Sequence, residues 1–143
     1  MIAISLLKKS DKIVLRDINV LLRELSGDDV RLLTLAELKK IIADANVFLY
    51  GARDGKKIIG MATLVLVRVP RGFHATIESV VVSAAYRGHG IGKLLTARLI
   101  KEAKKKRVLW IDLNSKPHRV AANGLYQKLG FQKRETNAYR LSL

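Results

Sequence analysis

No cysteine occurs anywhere in the chain, and that absence alone removes several classes of function. Disulfide scaffolds, thiolate nucleophiles and Cys-ligated zinc are excluded, and the composition suits a reducing compartment. Histidine is scarce as well. His74, His89 and His118 show no i, i+4 pair of the kind that holds a metal on one helix face, so no metal site is assigned. No Pro/Gly/Ser-rich linker, repeat or low-complexity tract divides the 143 residues, so a single domain over 1–143 is expected. The apolar run between Met1 and Lys9 is too short for a signal peptide, and no later stretch approaches the roughly 20 residues of a membrane span. A cytoplasmic protein without a membrane partner is therefore expected, as a monomer or a homodimer. Acidic residues are few: 12 Asp and Glu against 27 Lys and Arg leave a net charge of +15, so partners should be anionic. Aromatic residues, at 6%, are scattered rather than grouped on neighbouring strands, which disfavours a single-strand nucleic-acid platform despite the charge.

What the chain does have is aliphatic bulk. With 49% hydrophobic residues it can bury a core without a disulfide or metal staple. Ile2 to Leu7 reads as a strand. Asp11 caps a helix in which Val14, Ile18, Leu21, Leu22 and Leu25 recur at helical spacing up to Gly27. Thr34 and Glu37 make a capping box for a second helix reaching about Asp44. Val47 to Ala52, Ile58 to Val67 and Thr76 to Val82 follow as strands joined by tight turns at Asp54–Gly55 and Pro70–Gly72, which makes them antiparallel. A third helix from Ile91 leads to a strand at Val108 to Leu113, and this strand, helix, strand unit predicts a parallel pair. A fourth helix runs from Pro117–His118 to Leu129 and is closed by Gly130. Phe131 to Lys133 and Asn137 to Leu141 are read as two last strands. The expected fold is α/β: a mixed, mostly antiparallel sheet of six to seven strands flanked by four helices.

Between the third long strand and the third helix stands Tyr86-Arg87-Gly88-His89-Gly90-Ile91-Gly92-Lys93. Glycines so placed let backbone N–H groups converge at a helix N-terminus, whose unsatisfied donors and partial positive charge favour a diphosphate. A Rossmann fingerprint would need glycine where Lys93 stands, even though Asp112 lies near the distance expected of a ribose ligand. A Walker A loop would need glycine and Ser or Thr where Arg87 and Leu94 stand. What remains resembles the GNAT acetyltransferase superfamily, whose loop reads Arg or Gln, any two residues, Gly, any residue, Gly or Ala. Arg87, Gly90 and Gly92 match it, as do Ile77 to Val82 upstream and Ala121, Ala122, Asn123, Leu125, Tyr126, Leu129, Gly130 and Phe131 downstream.

The resemblance implies an acetyl-CoA-dependent N-acetyltransferase that acts on a primary amine by direct attack, and the positive charge makes an acidic acceptor one candidate. It also implies that the parallel strand pair opens around the cofactor. Arg87, Gly88, His89, Gly90, Ile91, Gly92 and Lys93 would hold the diphosphate. The backbones of Val80 and Val82, together with Asn114 and Asn123, would contact the remainder of the cofactor, while their side chains can equally be core. Tyr126 would be the acid that protonates the departing thiolate, uphill by about 2 kcal/mol on reference values. Glu78, the one carboxylate in an apolar strand, would become a general base if buried there. The same residue pointing outward would be an ordinary surface glutamate. Gly124 departs from the larger residue expected in the fourth helix. Arg68 and Arg71 flank a hairpin and could hold an acidic acceptor or simply be solvated. Lys104 to Arg107 lie roughly 18 to 20 Å along the helix from Gly92, about two Debye lengths, and complement the helix dipole rather than the diphosphate. Two other readings stay open: a basic nucleic-acid-binding module and a non-catalytic acyl-CoA sensor.

Overall fold

The computed structural model describes residues 1–143. Its strands are β1 (Ile2–Leu6), β2 (Val47–Asp54), β3 (Lys57–Val69), β4 (Gly72–Val82) and β5 (Ile111–Leu113), in that spatial order in one sheet. The first three junctions are antiparallel and β4 pairs with β5 in parallel. The helices are α1 (Lys12–Ser26), α2 (Leu35–Ala43), α3 (Ile91–Lys105) and α4 (Val120–Lys128). None is long and apolar enough to cross a membrane.

Local chemistry explains the helix starts. Asp11 accepts hydrogen bonds from the N–H groups of Ile13 and Val14, and Thr34 and Glu37 form a reciprocal capping box. Periodicity then sets the faces. Val14, Ile18 and Leu21 of α1 and Leu38 of α2 pack with Ile58, Met61 and Val81 on one side of the sheet. Ile91, Leu95, Leu99 and Ala103 of α3 pack on Ile59, Leu64, Ala75 and Ile77 on the other. Asp17 sits inside the apolar stripe of α1, only 4% exposed. Its carboxylate accepts the Ile58 N–H at 3.0 Å and pairs with Arg16 at 3.1 Å, tying α1 to the start of β3.

Three expectations need correction. The sheet has five strands, not six or seven, because Phe131–Lys133 and Asn137–Leu141 form no strand. The segment Gln132 to Thr136 has no apolar face to lay on the sheet, and β5, three residues long, offers few ladder bonds to a neighbour. The expected strand at Val108 begins only at Ile111. Arg107 is still turning at φ 60° and the Val108 N–H still bonds back to Ala103, so the chain is closing α3 at that point. Helix α4 begins at Val120 rather than at Pro117–His118, after a turn in which the Arg119 N–H bonds to the Lys116 carbonyl.

Candidate active site

The sheet opens at one place. Strands β4 and β5 pair only through Ala75–Ile111, Thr76–Asp112 and Ile77–Leu113. Beyond Ile77 they part, so Glu78 and Asn114 stand at the fork, both exposed. A bulge at Ser79, a non-glycine residue at φ 53°, lies immediately past it. The extra residue resets the alternation of β4: Val80 and Val82 share the α3 face with Ala75 and Ile77, while Val81 turns to α1. Backbone direction follows from the register. The Ser83 N–H bonds to Ile59 on β3 at 2.8 Å, so by alternation Val80 and Val82 present their N–H and C=O groups to the open edge.

At the end of this edge the chain turns through a 3-10 segment, Ala84–Tyr86, into α3. Gly88 and Gly90 take φ of 82° and 77°, the left-handed region that glycine tolerates, and a Cβ on either would meet no protein atom within 4 Å. The backbone N–H groups of Gly88, His89, Gly90, Ile91, Gly92 and Lys93 find no acceptor in the protein, and no side chain caps α3. Gly92 brings the first turn of α3 against Val82 and Leu125, with distances from a notional Cβ of 3.9 and 3.7 Å, so β4, α3 and α4 converge here.

Arg87 does not point into this row of donors. Its Nε donates to the Val82 carbonyl at 3.0 Å, and its guanidinium lies 3.6 Å from Glu24 of α1. Glu24 also accepts from the Ser83 hydroxyl at 3.2 Å and the Ala84 N–H at 2.8 Å, so one carboxylate of α1 pins the whole strand-to-helix turn. His89 lies with Nδ1 3.2 Å from the Tyr86 carbonyl, and the Tyr86 hydroxyl donates to Asp54 at 2.8 Å, which raises its pKa. Nothing in the sequence signals Glu24, which is about sixty positions away from the groups it holds.

On α4 the two residues singled out behave differently. Asn123 Nδ2 donates to the carbonyls of Lys116 and Pro117 at 3.1 and 3.4 Å, closing the turn ahead of its own helix and leaving Oδ1 free. Tyr126 is 9% exposed, packs edge-on to Phe131 at 5.9 Å and has no protein partner for its hydroxyl. Burial pushes its pKa up, with nearby Arg119 pulling the other way. The phenol therefore stays protonated across the physiological range. Glu78, in contrast, is exposed at the fork, not buried in the strand. Two concavities, of about 250 and 360 Å³, lie elsewhere: one beside Leu6–Lys8 and Ile42, the other at Arg71, Trp110 and Arg134. The groove between the strands is edged by the unpartnered donors of the loop and of β4. No group of His, Asp and Glu is arranged to hold a metal ion.

Residues 16–131 match the Acetyltransferase (GNAT) family. The N-acetyltransferase ycf52 of Porphyra purpurea is 37% identical over 62 residues, covering 43% of this chain and 34% of that protein, so the match spans about a third of the curated relative's length. Among solved structures, an acetyltransferase of Trypanosoma brucei superposes with a TM-score of 0.81 at 27% identity, covering 100% of both chains. An aminoglycoside N-acetyltransferase in complex with CoA superposes at 0.80 and 19% identity, covering 99% of this chain and 95% of its own, a likeness of fold.

Proposed function

The chain belongs to the GNAT acetyltransferase family, and on that premise we propose that it transfers an acetyl group from acetyl-CoA to a primary amine by direct attack. The observation that carries this reading is the unpartnered row of N–H groups from Gly88 to Lys93, beside the open edge of β4. Acetyl-CoA supplies the activated acyl group as a thioester. The chain's own residues bind and orient it. Diphosphate oxygens fit the donors and the positive end of α3, and an extended arm fits the outward-facing backbone of Val80 and Val82. On the same reading Asn114 and the free Oδ1 of Asn123 are further contacts for the cofactor.

Tyr126 holds the proton that the leaving sulfur needs. Burial makes the phenol a weaker acid, so the transfer is uphill by somewhat more than the about 2 kcal/mol of the reference groups, a small part of an ordinary barrier. Glu78 takes the proton that the acceptor must lose, working from the exposed fork and through water. Its contribution should depend on the acceptor. Deprotonating a lysine-like amine at neutral pH costs about 4.6 kcal/mol, against about 1 kcal/mol for an α-amine. Glu78→Gln should therefore lower turnover more with a lysine-like acceptor, and parallel pH profiles with unchanged rates would remove Glu78 from the reaction.

An acceptor screen following thiol release from acetyl-CoA tests the whole reading. Peptide N-termini, lysine peptides, polyamines and amino sugars are the classes to compare, and the net charge of +15 favours acidic peptides and anionic amino sugars over the cationic polyamines. Saturable coenzyme binding without turnover on any acceptor would make the chain an acyl-CoA sensor. No binding at all would sink the proposal.

A further inference from the structure

The groove described above lies at the C-terminal ends of β4 and β5. The opposite end of the same strand pair carries a different cluster. There Gly72 opens β4 at φ 148°, and a Cβ at this position would fall 2.8 Å from Leu109 and 3.0 Å from Trp110. Only glycine leaves room for the indole against the β3–β4 turn. His74 stacks on the indole with ring centroids 4.7 Å apart and planes 7° from parallel, which fixes its orientation. The indole Nε1 donates to Asp112 Oδ2 at 2.9 Å.

Two guanidinium groups surround this fixed ring. Arg71 lies 5.2 Å from the indole centroid and makes no ion pair or hydrogen bond, and Arg134 reaches Asp112 only at 3.8 Å. Together with Trp110, Ile111 and Asp112 they line a concavity of about 360 Å³, within the size range of small-molecule sites. Asp112 accepts the indole N–H on one oxygen and faces Arg134 with the other, so two guanidinium groups stand against one carboxylate and one positive charge with its planar N–H fork is in excess. Arginine forks match the oxygens of phosphate and carboxylate groups. We propose that Arg71, Trp110 and Arg134 form a second binding site for a small molecule bearing a phosphate or carboxylate group. This site is independent of the acetyl-transfer reading.

Trp110 is the sole tryptophan of the chain, so its fluorescence reports directly on the site. The full chain would be titrated with inorganic phosphate, ribose 5-phosphate and citrate, each at ionic strength matched with sodium chloride. A saturable change in Trp110 emission is expected with at least one of them. Saturation by the phosphates alone identifies a phosphate ligand, and saturation by citrate alone a carboxylate. Arg71→Ala should raise the dissociation constant on the order of tenfold, and Arg71→Lys, which keeps charge but not the fork, by less. Asp112→Asn should lower it, because a like charge leaves the pocket while the acceptor for the indole remains. Gly90→Val should leave it unchanged. No saturable response from any anion at matched ionic strength, or a constant unaltered in Arg71→Ala, overturns the proposal.

Discussion

At Thr34 the first turn of α2 is closed from within. The Thr34 hydroxyl accepts the Glu37 N–H at 3.2 Å, Glu37 accepts the Thr34 N–H at 2.8 Å, and Arg31 pairs with the same carboxylate. At Gly90 the first turn of α3 has the same exposed donors and the same dipole, yet no side chain answers them. The tyrosines divide in the same way. Tyr50 and Tyr86 donate to Glu102 and Asp54, whereas the buried Tyr126 donates to nothing. Satisfied groups hold the fold; the unsatisfied donors of α3 and Tyr126 are the ones that the proposed reading gives to a ligand. Substitutions at the two kinds of position should therefore separate stability from binding.

The largest separation is expected at Gly90. Gly90→Val fills open space and places a β-branched residue at φ 77°, a strain of about 1–2 kcal/mol that the fold should survive. Coenzyme A affinity should fall by at least about 100-fold, about 2.8 kcal/mol, and the thermal stabilisation by acetyl-CoA should vanish. Calorimetry that finds unchanged affinity in the folded variant would break the comparison. Next comes Tyr126→Phe, which removes only the unpartnered hydroxyl. Turnover should drop on the order of 100-fold while coenzyme affinity stays within about threefold. A loss confined to affinity would make Tyr126 a binding residue instead.

The closed terminus should respond in the opposite sense. Thr34→Ala should destabilise the protein by about 1 kcal/mol in urea unfolding and leave coenzyme affinity untouched. The smallest effect concerns Glu37, whose carboxyl is held down to about 2 from an ordinary 4.5, first by the Arg31 side chain and then by the Thr34 N–H. Because the unfolded chain binds the proton more readily, this contribution is complete above 4.5 and is lost as the pH falls through about 2. In Glu37→Gln the decline of the urea midpoint over that interval should flatten. The difference should shrink with added salt, since the pair is exposed.

The sequence by itself determined the helices, the three long antiparallel strands and the parallel pair. Capping residues at Asp11 and Thr34, glycine stops at Gly27 and Gly130, and apolar periodicity are local signals that need no knowledge of distant contacts. The donor loop was legible for the same reason, since its conformation lies in its own glycines. Only the tertiary structure decided whether Asp17 would be buried within an apolar stripe, that Glu24 would pin the turn at Ser83–Arg87, and that Glu78 would stand exposed at a fork. It also decided that the last segment would form no strand against the three-residue β5. These outcomes depend on partners far apart along the chain. A side chain's role there is set by what packing brings beside it, and no local pattern of residues carries that information.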